Sequence, residues 1–112
     1  MTSRRRRSIL LAGATGALLM VMSSPSAEAA QTYYPVAPDV NVNVRSGPGT
    51  GYRIVRVLPK GAYVPIFCQK PGESVSGPYG TSNIWDNIGV GEYVSDAYVK
   101  TGSDGYVAPR CA

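Results

Sequence analysis

Val40-Asn41-Val42-Asn43-Val44-Arg45-Ser46-Gly47-Pro48-Gly49-Thr50-Gly51-Tyr52 is the stretch that decides the fold. Its first five residues alternate strictly. A period of two puts three β-branched side chains on one face of a strand and polar side chains on the other. Its second half, Ser46 to Gly51, is a loop by composition. Such a strand needs partners, and the chain on the C-terminal side supplies them. Arg53–Leu58 reads as a second strand and Pro59-Lys60-Gly61 as a turn. Ala62–Cys68 is a third strand, with Val64, Ile66 and Cys68 on one face. Pro65 cannot donate to a ladder, so that strand is expected at an edge or bulged. Gln69–Ser82, rich in Gly, Pro and Ser, reads as a long exposed loop. Asn83–Ile88 is a fourth strand, Gly89-Val90-Gly91 a turn and Glu92–Val94 a fifth strand. Ser95–Val99 is a tight turn running into a last strand, and Thr101–Ala112 is a tail.

On the N-terminal side, residues 30–39 read as a linker, in which Pro35 and Pro38 favour an extended path. Residues 1–29 have the plan of a signal peptide. Arg4 to Arg7 give a positive n-region. Ile9–Met22 is apolar but, at about 14 residues, shorter than the ~20 a membrane span needs. Ala27-Glu28-Ala29 is a cleavage signal. Arg6-Arg7-Ser8-Ile9-Leu10 also resembles the twin-arginine export pattern, so both export routes stay open. The expected product is secreted, extracellular or associated with the cell wall. It should have no membrane contact after cleavage and be a monomer.

The charge changes meaning once the leader is set aside. The 112 residues carry a formal charge of +4, from eleven basic and seven acidic side chains. Four arginines and Glu28 belong to the leader, which leaves seven basic against six acidic. No polybasic stripe remains to track a phosphate backbone, so nucleic acid is not an expected partner. There is no histidine, so the commonest general base and metal ligand is missing. The carboxylates Asp39, Glu73, Asp86, Glu92, Asp96 and Asp104 are scattered. They read as solvated turn and strand-end residues, not as a pair of catalytic acids. No nucleophile motif or calcium loop accompanies them. No enzyme activity, cofactor or metal is expected.

Strands of this length with Gly/Pro turns, and no helical periodicity after Ala29, describe an all-β domain over residues 40–112. Its core is thin, and such domains are commonly stapled. The two cysteines suit that role in an oxidising compartment. A Cys68–Cys111 bridge would close a loop of about 43 residues, which the chain-entropy model values at roughly 4 kcal/mol as an upper figure.

The run Val42–Tyr52 resembles the opening of bacterial Src-homology-3-type (SH3-like) domains. There an apolar-Asn-Val-Arg-Ser-Gly-Pro stretch is closed by an aromatic residue. The likeness continues through Val57–Gly61, Trp85–Ile88 and Gly91–Val99. It departs at Glu92-Tyr93, where the family carries Gly-Trp, in the length of segment 69–82, and in the tail. The resemblance implies a small SH3-like β-barrel of five or more short strands, its C-terminal tail stapled by the disulfide. It also implies a non-catalytic module that recognises cell-wall (peptidoglycan) peptide in a groove between loop 46–52 and segment 69–82. The alternative is a secreted protein-interaction factor, an inhibitor or effector of an extracellular enzyme.

Aromatic residues are the best guide to contact surface. Eight tyrosines, one tryptophan and one phenylalanine follow the leader, and tyrosine combines a flat apolar face with a polar tip. Tyr33, Tyr34, Tyr52, Tyr79 and Tyr98 read as surface residues, and Trp85 as packing. Arg45, Tyr52 and Tyr98 are the expected ligand contacts. The alternative is that Arg45 only ties the adjoining loop, through carbonyls or a carboxylate. Asn43 is expected to bond the local backbone, and Gly47, Gly49 and Gly51 to take up positive φ.

Overall fold

Alternation at Val42–Arg45 becomes strand β2, with Val42 and Val44 buried and Asn43 exposed. The computed structural model describes residues 31–112, of which Thr32–Ala112 form one unit. The leader and its cleavage site lie outside the described residues. Seven strands follow one another: β1 (Tyr33–Pro35), β2 (Val42–Arg45), β3 (Ile54–Leu58), β4 (Tyr63–Pro65), β5 (Cys68–Gly77), β6 (Gly80–Gly89) and β7 (Glu92–Ser95). A 3-10 turn, Asp96–Tyr98, ends the series. Five strands form an antiparallel sheet in the order β3-β2-β7-β6-β5, and β1 pairs with β4 in a second, two-stranded sheet. The architecture is all-β and SH3-like. Its core gathers Val36, Val42, Val44, Leu58, Val64, Ile66, Ile88, Val94 and Val99 between the two sheets.

Three local expectations need correction. The segment read as a linker is extended, as its prolines require, but it is part of the fold. Tyr33–Pro35 pairs with β4, and Val36 and Ala37 are about 1% exposed. Tyr34, on that segment, packs against the core. Val36 is also bridged to Val99.

The segment read as a long loop, 69–82, is instead most of a β-hairpin. β5 and β6 pair from Cys68↔Asn87 to Gly77↔Gly80, with a bulge between Pro71 and Val75. Pro71 lies beside that bulge on the sheet's edge strand, where its missing N–H costs no ladder bond. Near the tip, the Ser76 and Thr81 hydroxyls bond each other at 2.7 Å.

The tight turn expected after β7 is the 3-10 turn, but the last strand expected beyond it is reduced to a single bridge at Val99. Ser95 Oγ accepts the Ala97 N–H at 3.2 Å and so caps it. Val99 closes the turn through its N–H to the Asp96 carbonyl.

The tail is held covalently and by hydrogen bonds. Cys68 and Cys111 form the disulfide, with their Cα atoms 4.9 Å apart. Gln69 exchanges backbone bonds with both sides of the bridge: its N–H donates to Pro109 O, and its carbonyl accepts from Cys111 N. Its side chain takes two more tail amides, Val107 and Ala108, on Oε1 at 2.7 and 2.9 Å.

Candidate functional site

Loop 46–52 leaves β2 at Arg45, and Arg45 itself shapes the loop. Its Nη1 donates to the carbonyls of Thr50 and Tyr52, both at 3.0 Å. The guanidinium fork therefore ties the loop's far side back to its start. Tyr52 closes the loop from above: its ring lies so close over Gly47 that a Cβ there would sit 2.5 Å from it. Gly47 serves this close approach, and none of Gly47, Gly49 and Gly51 adopts the positive φ expected of them; among the described glycines it occurs at Gly61, Gly80, Gly91 and Gly102.

The hairpin meets the loop at the β5 bulge. Glu73 N–H donates to the Pro48 carbonyl at 3.1 Å. Glu73 Oε1 accepts from Thr50 N and Thr50 Oγ1 at 2.6 and 2.7 Å. These bonds from Thr50, aided by the Arg45 charge, hold the Glu73 carboxyl below the usual carboxylate range. Gly72 makes the approach possible, since a Cβ there would meet the Pro48 carbonyl oxygen at 2.2 Å. Beneath, the buried Trp85 donates its Nε1–H to the Glu73 carbonyl at 2.9 Å. A tryptophan can be this buried because its one polar atom has a partner.

These contacts leave a groove of about 240 Å³ between loop and hairpin. Its apolar walls are Val40, Val42, Val75, Trp85 and Tyr98, and its polar ones Asn41, Asn43, Arg45, Thr50 and Ser95. Thr50 comes from the loop and Val75 from the hairpin. Arg45 and Tyr98 line the groove. Tyr52 is half-exposed and lies outside its lining. Tyr98 is held from behind by the hairpin, where Gly77 leaves room for its ring. Asn43, expected to bond local backbone, makes no side-chain hydrogen bond among the described residues, and neither does Asn41; both are exposed on the groove wall. The sequence reading had missed Asn41 and Val75. Val75 was hidden because its segment read as a loop; Asn41 is signalled by the same alternation that places Asn43.

β7 carries the departure from the family pattern at its start, Glu92-Tyr93. Glu92 takes a two-pronged contact from Arg56 on β3, Nε to Oε2 and Nη2 to Oε1, both at 3.0 Å. This holds Glu92 below the usual carboxylate range. The Tyr93 ring lies 5.9 Å from Lys70 Nζ. Asp86 and Asp96, read as solvated, are instead buried at 0% and 6% exposure. Among the described residues, no three His, Cys, Asp or Glu side chains gather in a group that could hold a metal ion.

Comparison with known proteins places these features in a group. The family model described as bacterial SH3 domain matches residues 40–111. Two Bacillus subtilis (strain 168) proteins are similar. The uncharacterized protein YraI is 48% identical over 99 residues, covering 80% of this chain and 82% of its own. The uncharacterized protein YraJ is 52% identical over 79 residues, covering 62% and 66%.

Proposed function

The chain belongs to the bacterial SH3 domain family, and from that premise we propose that it is a secreted binding module that recognises cell-wall peptide in the groove between loop 46–52 and the β5–β6 hairpin. One observation carries the reading. The groove combines an apolar floor with two exposed amides, Asn41 and Asn43, that are unused within the fold. A peptide backbone presents alternating donors and acceptors, and side-chain amides match both. Tyr98 and Val75 supply apolar contact, and Trp85 forms the floor. Arg45 faces the same groove with the donors its loop carbonyls do not take, which suits a peptide carboxylate. Tyr52 acts on the ligand indirectly, by locking the loop that carries Thr50.

The test is co-sedimentation with purified peptidoglycan, using Asn41→Ala and Asn43→Ala. These side chains hold nothing in the fold, so melting temperature should stay unchanged. Each should weaken binding by more than ~1 kcal/mol, about fivefold. A parent protein that stays in the supernatant would sink the reading. It would favour the second candidate, a protein ligand for an extracellular enzyme.

A further inference from the structure

Asp86 lies mid-strand in β6, opposite Gln69 on β5 and Val94 on β7. Asp96 starts the 3-10 turn that packs over it. The two carboxyl groups are within hydrogen-bonding reach of each other. Asp86 Oδ1 accepts from Gln69 Nε2 at 2.6 Å. Asp86 Oδ2 and Asp96 Oδ1 are buried and meet no donor among the described residues. The Val107 and Ala108 amides on Gln69 Oε1 fix the orientation of its side chain, with Nε2 on Asp86 Oδ1.

We propose that Asp86 and Asp96 share one proton, and that this proton latches the C-terminal tail to the sheet through Gln69. Two ionised carboxylates at hydrogen-bonding distance in a buried site repel each other and leave both orphan oxygens without a protein partner. One proton repairs both faults, making one oxygen a donor and the other its acceptor. The chain of bonds then runs from Asp96 to Asp86, to the Gln69 amide, to the tail at Val107 and Ala108. The disulfide fixes the tail's end at Cys111 but not this middle portion.

The charged surroundings offer no rival partner. Protonation of the pair is governed by burial, by each carboxyl acting on the other, and by Gln69. Lys70, next to Gln69, lies over the Tyr93 ring, and Arg110 of the tail lies 3.5 Å from the Tyr106 ring centre. Tyr79, Lys100 and Asp104 border the polar depression on the outer side of Asp96. Burial pushes Asp86 up to about 9 and raises Asp96 as well.

The consequence has a definite sign. An unfolded aspartate gives up its proton near pH 4, whereas the folded pair keeps one far longer. Between these limits the folded state binds more protons, so stability falls as pH rises. When the proton leaves for solvent, two adjacent negative charges remain and the latch loosens. The latch itself is therefore closed at acidic and neutral pH and opens in alkali.

The experiment uses the disulfide-bonded mature protein. Carboxyl-carbon NMR should show Asp86 titrating near pH 9 and Asp96 titrating above its ordinary range, each responding to the other. Amide exchange protection at Val107 and Ala108 should fall at least tenfold through the Asp86 transition, while Val44 keeps its protection. The melting temperature of the parent should drop by more than about 5 °C from pH 5 to 9. Asp86→Asn replaces the proton with an amide and should flatten that slope. If this variant does not fold, Asp96→Asn takes its place, and the NMR titration of the parent needs no variant. Both carboxyls titrating near pH 4 would overturn the shared proton. Unchanged tail protection through the transition would overturn the latch.

Discussion

Gly72→Ala tests the join between loop and hairpin on which the groove depends. The added Cβ would lie 2.2 Å from the Pro48 carbonyl oxygen, 2.7 Å from Pro48 Cβ and 2.9 Å from Trp85 Cδ1. The first of these is backbone, so no rotamer change relieves it. Either the β5 bulge or loop 46–52 must move, and the Glu73 N–H bond to Pro48 goes with it. Overpacking of this kind costs about 1–3 kcal/mol, and the rigid neighbours argue for the upper half. For a domain of this size, 1 kcal/mol corresponds to about 4–8 °C, so a loss of roughly 10–20 °C is expected. Differential scanning calorimetry of the disulfide-bonded protein reads it. Gly51→Ala, in the same loop, is the control, because its Cβ meets nothing within 4 Å and its φ is not positive. A Gly72→Ala melting point within about 3 °C of the parent would refute the tight join.

Three further outcomes follow from other parts of the molecule. Replacing both cysteines by alanine should lower stability by about 2–4 kcal/mol, read by urea denaturation; an unchanged midpoint would mean that the tail contributes little. Intact mass of the exported protein should match a chain starting at Ala30, and a product retaining Arg4–Arg7 would contradict cleavage. The Glu73 clasp should be intact above the ordinary carboxylate pKa and be lost as pH falls through the depressed one. Thr50 amide shifts should follow that transition, and should not do so in Glu73→Gln.

Much of this domain was legible because its local signals agree with its tertiary contacts. Val42 and Val44 alternate and are buried together; Pro65 marks a short strand of the small sheet; two cysteines in a thin domain pair. The β5–β6 hairpin was not legible. Gln69–Ser82 has loop composition, and its strand state comes from the facing strand, from the bulge at Pro71–Val75, and from Tyr98 and Pro48 packed against Gly77 and Gly72. Of these, Pro48 and Tyr98 lie well outside the segment, and the segment itself carries few of the β-branched residues that mark a strand. The N-terminal segment misled for a similar reason. Prolines report an extended path but do not tell whether it is free or laid against a sheet.

The site divides along the same line. Arg45 and Tyr98 were legible as groove residues through the family motif. Arg45 also ties the loop, as one reading of its five donors allowed. Tyr52 was singled out for its exposed loop position, yet its ring is engaged with Gly47. The buried Asp86 and Asp96 were illegible, since nothing local distinguishes a buried aspartate from a solvated one.

Amide chemical-shift mapping reads out whether the groove holds a wall peptide. A soluble peptidoglycan stem peptide is titrated into the isotopically labelled mature protein. The account predicts saturable shifts at Asn41–Asn43, Thr50, Val75, Ser95 and Tyr98, with the Trp85 indole N–H moving in step and the β1–β4 sheet silent. Absence of saturable shifts, or shifts confined to Tyr33 and Tyr63 of the β1–β4 sheet, would contradict it.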